Sequence, residues 1–180
     1  MALTRLVGAN AISGTLPAAN INNTSISSVT SLPAAISTGT VLQVKSASDD
    51  SQRTTTNTGS YSKASNTCDV TITPSSTSSK IFVQVCTGGG GNGGANQRYF
   101  FTIYRDSTHI GATDGIRTHE VYTGDSSSVH MIENPIHLAV MDSPSSTSAL
   151  TYSVQCKGQS GTTYFNMKGR TTLTCMEIAG

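Results

Sequence analysis

Alternation of apolar and polar residues is the main structural signal along this chain. Two alternating stretches, which begin at Cys68 and Lys80, flank Pro74 and a run of Ser and Thr. A period of two is typical of a half-buried β-strand, and Pro74 lacks the N–H that a continuing ladder would need. The pattern therefore predicts a half-buried β-hairpin over residues 67–86. The same arrangement around Pro144 predicts a second hairpin.

A glycine-rich run at residues 88–96 separates the first hairpin from a strongly β-prone segment at residues 98–105. A phosphate-binding loop would need Lys and Ser or Thr, or glycines at a set spacing, in front of a helix. A strand follows here instead, so the run predicts a long flexible loop with a mobile tip. Three residues of this region are predicted as exposed loop contacts: Asn92, Asn96 and Tyr99.

Turn residues continue to separate short β-prone segments as far as the end of the chain. From residue 40 onward about eight such segments occur, each of roughly five to eight residues, and no window has helical periodicity. This spacing is typical of a two-sheet protein. The prediction is all-β, with residues 40–180 forming a single antiparallel β-sandwich or jelly roll.

Residues 1–39 have a different character and predict an extended N-terminal arm. Arg5 is their only charged residue, and their apolar residues are sparse but regularly spaced. Such a segment cannot offset an ordering cost of about 1 to 2 kcal/mol per residue by itself. We therefore expect it to dock on a surface or to intertwine with other subunits, whereas a flexible tail is the alternative. The arm residues expected to contact partner subunits or a virion are Leu16, Ile21, Ile26, Val29, Leu32 and Ile36.

Composition excludes several classes of partner. The 180 residues include only 12% charged residues, and the net charge is +1. The electrostatic field of so small a net charge is too weak to attract nucleic acid or an anionic membrane. The chain has no apolar run of the length that a membrane span needs, and no secretory signal is predicted at its start.

The sequence carries no pattern that predicts catalysis. Its four histidines fall in no metal motif, its ten carboxylates are scattered, and no Gly-x-Ser-x-Gly elbow occurs. We therefore expect a non-enzymatic protein without a cofactor or metal. The four cysteines lie in apolar strand patterns without a C-x-x-C pair, which favours buried free thiols over disulfides: Cys68, Cys86, Cys156 and Cys175.

Sugar binding is an alternative that the β-rich pattern leaves open, because sandwiches often present aromatic platforms. Trp is absent and aromatic residues make up only 6% of the chain. The tyrosines are therefore the residues that could contribute a ring. They are Tyr61, Tyr99, Tyr104, Tyr122, Tyr152 and Tyr164.

The amino-acid sequence of several stretches resembles that of small structural proteins of tailed phages of aquatic bacteria, cyanophages among them. These stretches are Thr73–Ile81, Tyr104–Thr108, Asp142–Ser148 with Leu150–Tyr152, and Met176–Gly180. The resemblance covers roughly residues 39–180 and brings no catalytic residues with it. It implies a place on the virion surface, after assembly in the host cytoplasm.

Together, the arm and the resemblance predict a homotrimeric capsid decoration or cement protein. The expected partners are its own copies and the major capsid or tail proteins, and the trimer is an analogy with such phage proteins. A short tail or head fibre that contacts the host receptor is the first alternative. A carbohydrate-binding β-sandwich that contacts a host surface glycan is the second.

Overall fold

The structure is a computed structural model that describes residues 39–65, 67–93, 97–121, 130–166 and 169–180. Residues 1–38, which include every predicted arm contact from Leu16 to Ile36, lie outside the described residues. The arm therefore stays a prediction.

Within the described residues the chain forms twelve strands and no helix. The strands are β1 (Val41–Asp49), β2 (Arg53–Thr55), β3 (Ser62–Lys63), β4 (Val70–Ile72), β5 (Lys80–Gly93), β6 (Gln97–Arg105), β7 (Thr108–His109), β8 (Arg117–Val121), β9 (His130–Asp142), β10 (Leu150–Gly158), β11 (Thr162–Phe165) and β12 (Thr171–Ile178).

The strands form two antiparallel sheets. Sheet A contains β1, β2, β5, β9, β11 and β12, and sheet B contains the other six. Several short strands continue one another: β5 pairs with β12 over its first half and with β11 over its second half. In the same way β1 continues into β2, β3 into β4, and β7 into β8. Each sheet therefore has four strand positions, eight in all.

The pairing of these eight positions defines the topology. In chain order the first position pairs with the eighth, the second with the seventh, the third with the sixth and the fourth with the fifth. Such nested pairing is one long antiparallel ribbon, and its successive pairs alternate between the two sheets. That arrangement is a jelly roll. The predicted fold class is confirmed.

Both predicted hairpins are wrong in their pairing. β4 pairs with β10 in sheet B, whereas β5 lies in sheet A, so residues 73–79 cross between sheets. The turn around Pro144 likewise joins β9 of sheet A to β10 of sheet B. Alternation shows that a strand has one buried face. It does not distinguish a neighbour in the same sheet from a neighbour across the core.

A buried carboxylate holds each of these two corners. Glu177 accepts hydrogen bonds from the backbone N–H of Ser75 (2.7 Å), the Ser75 hydroxyl (2.6 Å) and the Gln43 side-chain amide (2.6 Å). Burial acts to raise its pKa, but the bonds from Ser75 and Gln43 outweigh burial and hold that pKa below its ordinary value. At the second corner Asp142 accepts two bonds from Arg105, both 2.8 Å, and one from the Tyr152 hydroxyl (2.6 Å).

The glycine run is a strand as far as Gly93, so the predicted flexible loop is wrong over residues 88–93. Gly89 and Gly91 face the core, and a Cβ at Gly91 would overlap the Tyr99 ring of the opposite sheet. A Cβ at Gly89 would lie 2.8 to 3.0 Å from Ile136 and Phe101 side-chain atoms. Glycine is therefore needed because bulky rings pack directly on this backbone.

Three residues were predicted to make exposed loop contacts. The prediction for Tyr99 is wrong, because its side chain is fully buried. Asn92 is half-buried, and its side chain donates a hydrogen bond to the Tyr164 hydroxyl and accepts one from the Thr162 N–H. Asn96 lies outside the described residues.

Candidate protein-interaction surface

The outer face of sheet A carries most of the exposed large apolar side chains among the described residues. Among the described residues, the large apolar side chains that are most exposed are Val41 (47%), Leu42 (44%), Val44 (53%) and Met141 (51%). Val41, Leu42 and Val44 belong to the edge strand β1, and Met141 belongs to β9 at the opposite edge.

Strand register links these two edges across the face. Val44 lies opposite Met176, Met176 opposite Phe82, and Phe82 opposite Met141. We call Val44, Met176, Phe82 and Met141 the apolar row. It crosses all four strand positions of sheet A, and Phe82 and Met176 in its middle are half-buried.

The row arises because β5, β9 and β12 are apolar on both faces at this level, and in β9 the core-packed Val140 precedes Met141. In β5 the core-facing Ile81 and Val83 flank the outward-facing Phe82, and in β12 the core-facing Cys175 precedes the outward-facing Met176. The sequence prediction missed the row, although consecutive apolar residues in an alternating strand were a visible signal for it.

The neighbouring row on the same face is uncharged as well. It consists of Ser46, Thr174, Gln84 and Ala139. Residues 39–40 and Ala179 form two backbone hydrogen bonds, each 2.9 Å long. These bonds hold the start of the described chain beside the end of β12. An exposed apolar surface of this kind, rimmed by polar residues, is typical of a contact with another protein.

The outer face of sheet B is instead polar, and it carries two ion pairs between its own side chains. Arg98 and Glu120 form an ion pair at 3.2 Å, and Lys63 pairs with Asp69. Of the tyrosines predicted as candidate sugar contacts, Tyr61 and Tyr104 come together on this face, with their ring centroids 6.1 Å apart.

The other tyrosines have different positions. Tyr99 and Tyr152 are fully buried in the core, which excludes both from a surface site. Tyr164 is half-buried and holds Asn92 on sheet A. Tyr122 lies outside the described residues.

The cysteines divide into two groups, and all four are free thiols. Cys68, Cys156 and Cys175 are buried, and burial raises their pKa values to about 11, about 12 and about 12. The expectation of burial is wrong for Cys86, which is half-buried on the outer face of sheet A. Its sulfur lies 3.3 Å from Nδ1 of His137, its cross-strand neighbour.

Other kinds of site find little support in the described part of the chain. No cluster of three or more His, Cys, Asp or Glu side chains there could hold a metal ion. A cavity of about 240 Å³ lies between β8 and β9, and another of about 360 Å³ lies beside Thr87 and Glu133; both are at or below the lower end of the range for small-molecule sites. The helix that a membrane span requires does not occur among the described residues.

Comparison with known proteins gives no family: no family model and no curated protein matches the chain. The solved structures with some similarity include the infectious bursal disease virus VP2 subviral particle, at 13% identity and a TM-score of 0.40. That match covers 78% of this chain and 34% of the other. The Gt strain of the same virus matches at 12% identity and a TM-score of 0.38, over 77% and 38% of the two chains.

The chain thus spans about a third of the length of the structures it matches. At this level of similarity neither the identity nor the TM-score indicates what the chain does. Its own fold and surface define the class: a jelly-roll domain with an exposed apolar row on the outer face of sheet A.

Proposed function

We propose that the chain is a non-enzymatic structural protein of a virion, and that it contacts other virion proteins through the outer face of sheet A. The apolar row is the observation that carries this proposal. The domain has a complete core without these side chains, so folding does not explain why they are apolar. A protein partner that covers them does.

The energy of covering the exposed apolar side chains of sheet A is too small to act alone. Val41, Leu42, Val44 and Met141 are each about half exposed. Covering what remains exposed would stabilise a contact by about 1 kcal/mol per side chain. Association itself costs about 4 to 15 kcal/mol. A second contact is therefore required, and residues 1–38, with their regularly spaced aliphatic residues, are the part of the chain suited to supply it.

The finer proposal is a homotrimeric decoration or cement protein on the capsid, anchored by its N-terminal arm. The resemblance to small phage structural proteins supports a phage virion, and a neutral domain with one adhesive face suits repeated clamping of a shell. Deleting residues 1–38 should leave a folded, soluble domain that no longer joins the particle. A truncated protein that occupies particles as fully as the complete chain would contradict the arm as anchor.

Copy number separates this proposal from its alternative, a short fibre. Quantitative mass spectrometry of purified virions should find the chain in a number close to that of the major capsid protein. A copy number that is a small fraction of that value would favour a fibre. A chain absent from purified particles would contradict the virion role itself.

A further inference from the structure

The outer face of sheet B carries a group of rings that the proposed assembly does not use. The rings of Tyr104 and His109 are stacked, with centroids 5.1 Å apart and an interplanar angle of 20°. Tyr61 lies against both, at 6.1 Å from Tyr104 and 5.1 Å from His109. All three side chains are half-buried, so each keeps part of its surface in solvent.

A lysine completes the group. The Lys157 ammonium lies 4.5 Å from the Tyr61 ring centroid and 5.2 Å from that of Phe100. Among the described residues no carboxylate lies within ion-pair distance of Lys157, whereas Lys63 and Arg98 on the same face are both paired with acidic side chains. Its position is therefore fixed by aromatic rings, and its N–H donors are not committed to an acid.

The ring edges carry polar groups that already have partners in the protein. The Tyr61 hydroxyl lies 3.4 Å from the carbonyl oxygen of Thr113, and Nε2 of His109 lies 2.8 Å from the Thr102 hydroxyl. Burial, and then the charge of Lys157, lower the pKa of His109. This shift favours the neutral imidazole, which adds a flat ring to the group.

We propose that Tyr61, Tyr104, His109 and Lys157, which we call the aromatic–lysine cluster, bind a saccharide. A sugar ring presents an apolar C–H face that packs on an aromatic ring, and its hydroxyls require hydrogen-bond partners beside that ring. The cluster offers both kinds of surface within one patch. Because Lys157 has no acidic partner among the described residues, a sugar that carries a carboxylate binds more tightly than its neutral counterpart.

The probes are methyl glycosides of glucose, galactose, mannose and N-acetylglucosamine, together with the methyl glycosides of glucuronic and galacturonic acid. Saturation-transfer NMR with the full-length protein and each probe at about 10 mM detects the weak binding expected of a single sugar. The matched pairs are glucose with glucuronic acid and galactose with galacturonic acid. At least one of these pairs should give a signal, and that signal should be stronger for the acid than for the neutral sugar. No signal from any of the six would overturn the proposal.

Variants assign the signal to residues. Tyr104→Ala should reduce transfer to both sugars of a binding pair, and Lys157→Gln should reduce the acidic sugar's affinity roughly threefold to fivefold while changing the neutral sugar's little. Tyr164→Ala, on the outer face of sheet A, is the matched control and should change neither.

A cluster that only stabilises the fold would lower the melting temperature of Tyr104→Ala but leave sugar binding unchanged, and that result would also overturn the proposal. Lys157→Gln removes no ring, so its effect can be read even if Tyr104→Ala folds poorly. Sugar binding and particle assembly are measured separately, so one can fail without the other.

Discussion

The two sheets are alike on their inner faces and different on their outer faces. Inside, both alternate regularly and contribute to one core, in which Tyr99, Phe101 and Phe165 are fully buried. Outside, sheet A leaves aliphatic and methionine side chains without a cover, whereas sheet B pairs Lys63 and Arg98 with acidic side chains and packs its rings against one another. The inner faces thus explain why the chain folds. The outer faces are the basis of the two proposals, a protein contact on sheet A and a saccharide on sheet B.

The largest effect is expected from a substitution that weakens the contact between the two sheets. Asp142→Ala removes the partner of Arg105 and Tyr152, which join sheet A to sheet B at the second corner. The Arg105 side chain is only 22% exposed, so leaving it unpaired should lower the free energy of unfolding by about 3 to 5 kcal/mol. Urea unfolding followed by circular dichroism measures the loss.

The matched control is Asp50→Ala, which breaks a similar pair with Arg170 in which both side chains are more than 60% exposed. It should lower the free energy of unfolding far less than Asp142→Ala does, because solvent screens an exposed pair. Equal losses in the two variants would show that Asp142 does not hold the sheets together.

A second prediction alters only the outer face of sheet A. Val44→Asp combined with Met141→Asp places two charges in the apolar row, and both positions are about half exposed. The melting temperature should change little, because exposed positions tolerate substitution within about 0.5 kcal/mol. Self-association should weaken by about a hundredfold, because unpaired like charges in a contact cost several kcal/mol.

Sedimentation equilibrium of the full-length protein measures this change. Thr118→Asp, at an exposed position on the outer face of sheet B, is the control and should associate as the unaltered protein does. Association that survives the double substitution would move the contact elsewhere. An unaltered protein that is monomeric at micromolar concentration would exclude self-trimerisation and leave docking on other virion proteins.

The sequence predicted the strands better than it predicted their neighbours. Alternation located β5, β10 and β12 and predicted a two-sheet protein, because burial of one face acts directly on the pattern. The pairing of β5 with β9 and β12 depends on contacts between distant parts of the chain, which local turn chemistry around Pro74 does not encode.

The candidate site was less predictable than the fold. Gly91 reads as a loop residue because nothing near it in sequence reveals that Tyr99 packs on its backbone. Phe82 reads as one more core residue until the register places it in a row with Met176 and Met141. The rings of Tyr61 and His109 are 48 positions apart in the chain, so only the fold shows that they meet.

Two carboxylates in sheet A should make the stability of the fold depend on pH in the acid range. Hydrogen bonds from Ser65 and the Ser51 N–H lower the pKa of Asp49, at the end of β1, to about 2, and the pKa of Glu177 in β12 is also lowered. A depressed folded-state pKa gives stability that is present above the unfolded-state pKa near 4 and is lost as pH falls toward the folded-state pKa.

The melting temperature should therefore hold above about pH 5 and fall between about pH 4 and pH 2. Calorimetry across this range measures it. Glu177→Gln combined with Asp49→Asn should lower the melting temperature at pH 7 and flatten the acid slope. A slope that is unchanged in this variant would assign the acid sensitivity to other carboxylates.

The smallest effect concerns the thiols, and it compares the outer face of sheet A with the shared core. Under denaturing, non-reducing conditions alkylation should modify all four cysteines, whereas in the native protein only Cys86 should react, because the other three are buried with raised pKa values. Cys86→Ser should abolish the native reaction, and fewer than four modified thiols in the denatured protein would indicate disulfides.

Cys86 also reports on assembly. It lies four residues beyond Phe82 along β5, about 13 Å away, and a contact that covers about 800 Å² per partner is wide enough to reach it. If copies meet through sheet A, Cys86 should react several times more slowly in the unaltered protein than in the Val44→Asp, Met141→Asp variant. Mass spectrometry of alkylation over time gives both rates, and equal rates would place Cys86 outside the contact.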